Sequence, residues 1–157
     1  MNHVREIVRA DAVHQKGILG KGSCIAILDS GICSHPDFEN RVIGWYDTVN
    51  GRTRPYDDNG HGTHVAGCIG GSGKVSGGMY KGICPWCRMI VGKVLDRNGD
   101  GNMDDMYRGV EWVLENRNKY RIRVLNISIG IGHIENEERM QELLEIVDEA
   151  WKSGIVV

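Results

Sequence analysis

The 157-residue chain has no apolar run near the ~20 residues that a membrane-spanning helix needs, so no membrane partner is expected. Its opening residues, Met1-Asn2-His3-Val4-Arg5-Glu6, lack the apolar core of a signal peptide. That predicts a cytoplasmic location, or an extracellular one if a leader or prodomain has been removed. There is no long run of one charge sign: 19 Lys and Arg stand against 21 Asp and Glu, a formal net charge of −2. Nucleic-acid binders usually carry a basic stripe, and no nucleic-acid partner is expected. Proline is scarce at 3 residues, and with the 22 glycines it makes only about 16% of the chain, below the level of disordered or collagen-like sequences. The cysteines number five (Cys24, Cys33, Cys68, Cys84 and Cys87), and an odd count argues against a complete disulfide framework. Reduced thiols fit better. No internal repeat is visible, and a length near ~150 residues fits one domain with a real core.

What is present is an alternation of apolar runs and amphipathic stretches. Residues 3–14 read as a short helix with Val4, Ile7 and Val8 on one face. Cys24-Ile25-Ala26-Ile27-Leu28 is a continuous apolar run that stops at Asp29-Ser30-Gly31, as expected of a parallel strand covered on both faces. Residues 41–46 predict a weaker strand, and 50–60 a loop. A helix is expected from about Gly62 to Gly70, then a Gly/Ser-rich loop. Residues 89–95 predict a third strand, and Asp96 to Asp105 a polar loop. Residues 103–118 predict an amphipathic helix whose first turn holds Asp104 and Asp105, where the helix dipole favours anions. Residues 124–130 predict a fourth strand, 136–153 a helix ended by Gly154, and Ile155-Val156-Val157 the start of another buried strand.

Strands alternating with helices predict an α/β, three-layer fold with a mostly parallel central sheet. The run at 155–157 opens a core strand without its neighbours. The chain therefore reads as the N-terminal portion of one larger domain, residues 1–157, truncated after the start of that strand. An open apolar sheet edge predicts either a companion C-terminal segment or self-association at 155–157.

Two segments carry chemistry. In the first, Asp29 closes an apolar strand, where open α/β sheets place their sites, and a buried carboxylate there needs a partner such as a histidine. The second is Asp57-Asp58-Asn59-Gly60-His61-Gly62-Thr63-His64-Val65-Ala66-Gly67, with glycines flanking His61 so that the backbone can turn and pack closely. Together these segments resemble the Asp and His signatures of the subtilisin-like serine proteases (subtilases). The resemblance continues in order through Tyr80-Lys81-Gly82, Lys93-Val94-Leu95, Gly99-Asp100-Gly101, Glu111-Trp112, residues 124–130 and residues 153–157.

The resemblance implies a serine endopeptidase acting on polypeptide substrates. Asp29 would be the triad acid and His61 the general base. Gly99, Asp100 and Gly101, together with Ser128, Ile129 and Gly130, would flank a bound peptide and pair with it as added strands. The stretch from Tyr56 to His61 resembles the intracellular type. One departure matters: no Gly-Thr-Ser-Met-Ala-like nucleophile segment and no oxyanion Asn segment occur in these residues. An acid and a base without a nucleophile form no acyl-enzyme, so the chain alone is expected to be inactive. The rival reading is a catalytically dead, subtilase-like module that binds peptide or a partner chain.

Other motifs have plainer roles. His61 and His64 have ligand-like spacing, but no third ligand stands at a recognisable distance, and no metal site is expected. Asp96-Arg97-Asn98-Gly99-Asp100-Gly101 begins like a calcium loop, yet position 12 is Tyr107 where a bidentate Glu is needed. Many subtilases bind calcium through an Asp like Asp37, but the partner loop, Gly70 to Met79, lacks the usual Asn. Calcium is thus not supported there, and no cofactor is required. Ser30 reads as a turn-stabilising hydroxyl. Cys84-Pro85-Trp86-Cys87 has redox spacing but precedes a strand rather than opening a helix, leaving a structural pair as the plainer reading.

Overall fold

The computed structural model describes residues 2–128 and 137–157. Four parallel strands form one sheet in the order β2-β3-β1-β4: β1 (Cys24–Asp29), β2 (Val42–Asp47), β3 (Arg88–Lys93) and β4 (Ile122–Ile127). The helices are α1 (Asn2–Ile7), α2 (Ala10–His14), α3 (His61–Gly70), α4 (Met103–Tyr120) and α5 (Glu137–Lys152). Among the described residues no helix is long and apolar enough to cross a membrane.

The continuous apolar run of β1 forms a central strand because both its faces are covered. Cys24, Ala26 and Leu28 point into a core shared with Val110 and Val113 of α4 and Leu143 and Ile146 of α5. Ile25 and Ile27 point the other way, toward Ala66 of α3, Met89 and Val91. Alternate residues of a strand face opposite sides, so helices on both faces require this uninterrupted apolar pattern. Burying each of Ile27 and Leu28 contributes roughly 1.5–3 kcal/mol. The expected three-layer α/β architecture is therefore present.

Elsewhere the boundaries move. The expected helix over 3–14 is two pieces, broken at Arg9, which takes a left-handed conformation with φ of 54°. Val4, Ile7 and Val8 are all exposed, so no buried stripe enforces one continuous helix. β4 starts at Ile122, earlier than its pattern suggests, because a register shift against β1 between Cys24 and Ile25 adds a residue. Residues 155–157 contribute one parallel bridge, Val124 to Val156, with Leu125 N donating to Val156 O at 2.8 Å. Ile155 is buried there, and Gly154, with φ of 88°, turns the chain out of α5.

Candidate active site

The carboxyl ends of β1, β3 and β4 lie along one edge of the sheet, with β1 in the middle of the three. Asp29 is the last residue of β1 and is fully buried. The following turn carries Gly31, with φ of 127°, where a Cβ would lie 2.0 Å from Tyr56 O. Glycine is needed at this crossing because the 56–57 segment pairs directly against residue 31. Gly62, in the first turn of α3, is a second such position: its Cβ would stand 2.3 Å from Gly31 O and 3.2 Å from Asp29 Cβ. These close approaches bring the start of α3 onto the end of β1.

His61, the first residue of α3, consequently meets Asp29. His61 Nδ1 lies 2.8 Å from Asp29 Oδ1, which also accepts from Ser30 N at 2.7 Å. The aspartate side chain is inaccessible, whereas the imidazole is 48% exposed. Against an ionised carboxylate, which can only accept, the ring would donate from Nδ1, leaving Nε2 as the nitrogen that Asp29 does not engage. Asp29 Oδ2 is buried and has no hydrogen-bond partner among the described residues.

A shell of polar contacts fixes this pair. Ser30 Oγ donates to Asp57 Oδ1 at 2.9 Å and accepts from Gly62 N at 2.9 Å, so its hydroxyl is committed to the turn. Asp57 also accepts from Gly60 N, Thr63 N and Thr63 Oγ1. It takes over the capping of α3 because the N-cap position, Gly60, has no side chain. Partial burial raises the Asp57 pKa, but the Thr63 hydroxyl, the Gly60 and Thr63 amides and the Ser30 hydroxyl outweigh it and hold the carboxyl at about 2.

Lys93 is the residue that sequence reasoning missed. It ends β3, is fully buried, and donates from Nζ to Ser30 O at 2.7 Å, Leu95 O at 2.8 Å and Asp58 Oδ1 at 2.6 Å. It ties the turn after Asp29 to the loop before His61. The signal was available: a lysine inside an apolar run that ends at the site edge must find partners.

Gly99, Asp100 and Gly101 lie in the loop after β3, on one side of β1. Asp96 folds that loop, its Oδ1 accepting from Asn98 N and Asp100 N, and Asn59 Nδ2 donates to Arg97 O at 3.0 Å. Ser128 follows β4 on the other side and accepts from Asn126 Nδ2 at 2.7 Å. Ile129 and Gly130 lie outside the described residues. His64 sits one turn beyond His61, its Nε2 3.7 Å from Cys68 Sγ. Among the described residues no group of three or more His, Cys, Asp or Glu is arranged to hold a metal ion. Asp37 Oδ1 accepts from Val75 N at 3.0 Å and Ser72 Oγ at 3.5 Å, so donors rather than further oxygen ligands face it.

Comparison with known proteins gives the family and the fold. The model of the subtilase family matches residues 20–157. The chain is 41% identical to serine protease AprX of Bacillus subtilis (strain 168), over 99% of this chain and 35% of that protein. It is 34% identical to subtilisin Savinase of Lederbergia lenta, over 96% of this chain and 51% of the relative. A crystal structure of a cold adapted subtilisin-like serine proteinase superposes with a TM-score of 0.71 at 32% identity, covering 88% of this chain and 45% of the other. The chain thus spans between about a third and about half of the relatives named here.

Proposed function

This chain belongs to the subtilase family, and on that premise we propose that it supplies the acid and the base of a serine endopeptidase, Asp29 and His61, together with both flanks of its peptide cleft. The contact of 2.8 Å between Asp29 and His61 carries the reading. In the proposed reaction His61 Nε2 takes the proton of a serine hydroxyl as that oxygen attacks the scissile carbonyl. Asp29 holds the ring tautomer and stabilises the imidazolium, which then protonates the leaving amine. The loop 99–101 and the segment 128–130 receive the substrate as an extended strand between them.

The nucleophile and the oxyanion Asn are supplied by residues other than these 157, either further along the polypeptide or on a companion chain. Alone, these residues are inactive. No cofactor enters this scheme. Calcium is not supported by the Gly70–Met79 loop, where Asp37 Oδ1 accepts from Val75 N and Ser72 Oγ.

The test is peptide hydrolysis by the complete natural protein. Asp29→Asn should lower kcat by about 10⁴-fold, the scale expected when a triad acid is removed. His61→Ala should abolish labelling by a fluorophosphonate, and residues 1–157 alone should not be labelled. Wild-type hydrolysis by either variant would refute the assignment. An inert natural protein that still binds extended peptide would favour the non-catalytic module instead.

A further inference from the structure

At the opposite edge of the sheet from Asp29 and His61, a second pair of reactive groups is assembled. The segment after the Gly/Ser-rich loop caps the carboxyl end of α3: Gly82 N donates to Gly71 O at 2.8 Å, Ile83 N to Cys68 O at 3.0 Å and Cys84 N to Ile69 O at 2.7 Å. Directly afterwards Cys84-Pro85-Trp86-Cys87 makes a turn closed by Cys87 N donating to Cys84 O at 3.0 Å. Proline at the second position presets the backbone angle of such a turn. A hydrogen-bonded turn brings its first and fourth Cα atoms within about 7 Å, and a disulfide needs roughly 4.4–6.8 Å. The turn is pinned by Cys84 N on Ile69 O, by Trp86 N on Leu19 O and, just beyond it, by Arg88 N on Ser23 O. Cys84 and Cys87 thus stand at the first and fourth positions of one closed turn.

The two sulfurs are unequal in access. Cys84 is partly exposed, with Ser23 Oγ 3.9 Å from its sulfur, whereas Cys87 is fully buried. Gly20 closes over Cys84 so tightly that a Cβ there would lie 2.0 Å from the sulfur. We propose that Cys84 and Cys87 are a reversible dithiol–disulfide site, with Cys84 as the attacking sulfur, Cys87 as the resolving sulfur and a low-molecular-weight disulfide as oxidant.

The Cys84 thiolate attacks one sulfur of the oxidant, whose disulfide bond breaks and releases one thiolate. The resulting mixed disulfide on Cys84 is then attacked by the Cys87 sulfur, which loses its proton to the medium and expels the second thiolate. Two cysteine thiols are oxidised to one disulfide, and the oxidant is reduced to two thiols. The environment assists the first step. The hydrogen bond from Cys87 lowers the Cys84 pKa against the opposing effect of burial, helped by Ser23, His14 and Arg41. The contact with Cys84, together with burial, holds the Cys87 thiol protonated until the second step.

Trypsin isolates the pair in one peptide, Gly82 to Arg88, between cleavages at Lys81 and Arg88. The complete natural protein would be equilibrated in glutathione buffers of graded oxidation, acid-quenched, alkylated and mapped by mass spectrometry. The expected result is coordinated loss of both alkyl groups from that peptide, with loss of two hydrogen atoms, reversed by dithiothreitol. Cys87→Ser should stop the reaction at a glutathione adduct on Cys84, and Cys84→Ser should leave Cys87 unoxidised. In the wild-type protein, a lasting glutathione adduct on Cys84, full alkylation in the most oxidising buffer, or a link from Cys87 to the neighbouring Cys24 would each overturn the proposal.

Discussion

Replacing Lys93 by methionine tests whether the buried ammonium organises the site edge. The thioether keeps most of the aliphatic stem, so the change removes the charge and its three hydrogen bonds with little loss of packing. Two of the acceptors, Ser30 O and Leu95 O, are backbone carbonyls bonded to the fully buried Nζ. Leaving buried carbonyls without a donor costs about 1–3 kcal/mol each. The third acceptor, Asp58, has a side chain 39% exposed, so it rehydrates at little cost. The expected destabilisation is about 2–6 kcal/mol, a large share of the ~5–15 kcal/mol that holds a typical domain together. Urea unfolding followed by circular dichroism should show the midpoint falling by about 1–3 M, for a slope of about 2 kcal/mol/M. Asp58→Asn keeps an oxygen acceptor for Nζ and should cost less than Lys93→Met, which leaves two buried carbonyls without a donor. Wild-type stability of Lys93→Met, or equal damage by Asp58→Asn, would refute this role for the buried ammonium.

Two further outcomes follow from the same shell. The Asp57 carboxyl is held at about 2 against an ordinary 3.8, so it stabilises the fold fully above pH ~4, and this contribution is lost as pH falls toward about 2. Asp57 is partly solvated, so about 1 kcal/mol is at stake; Asp57→Asn should flatten the acid limb of stability between those pH values, read by unfolding titrations. Gly62→Ala places a Cβ 2.3 Å from Gly31 O, which should cost about 1–3 kcal/mol and separate His61 from Asp29, so peptide hydrolysis should fall more than substrate binding does.

Much of this arrangement was legible in the chain. The unbroken apolar run of β1, stopping at a carboxylate, specified a doubly covered strand and a site at its end. The glycines around His61 marked a close backbone approach, and the structure places one of them, Gly62, against Gly31. Three features escaped for physical reasons. Arg9 breaks the N-terminal helix where exposed Val4, Ile7 and Val8 supply no tertiary restraint. The register shift at the start of β4 depends on its pairing with β1, which no local pattern reveals. Lys93 could have been found from the conflict between its charge and its apolar surroundings, but its partners Ser30, Leu95 and Asp58 come from three separate turns.

The state of the His61 ring tests the central claim most directly. Nitrogen-15 NMR of the imidazole, in the neutral ring, reports which nitrogen carries the proton. A proton on Nδ1, protected from exchange and shifted when Asp29 becomes Ala, is the predicted result. A ring protonated on Nε2 and indifferent to that substitution would contradict the account.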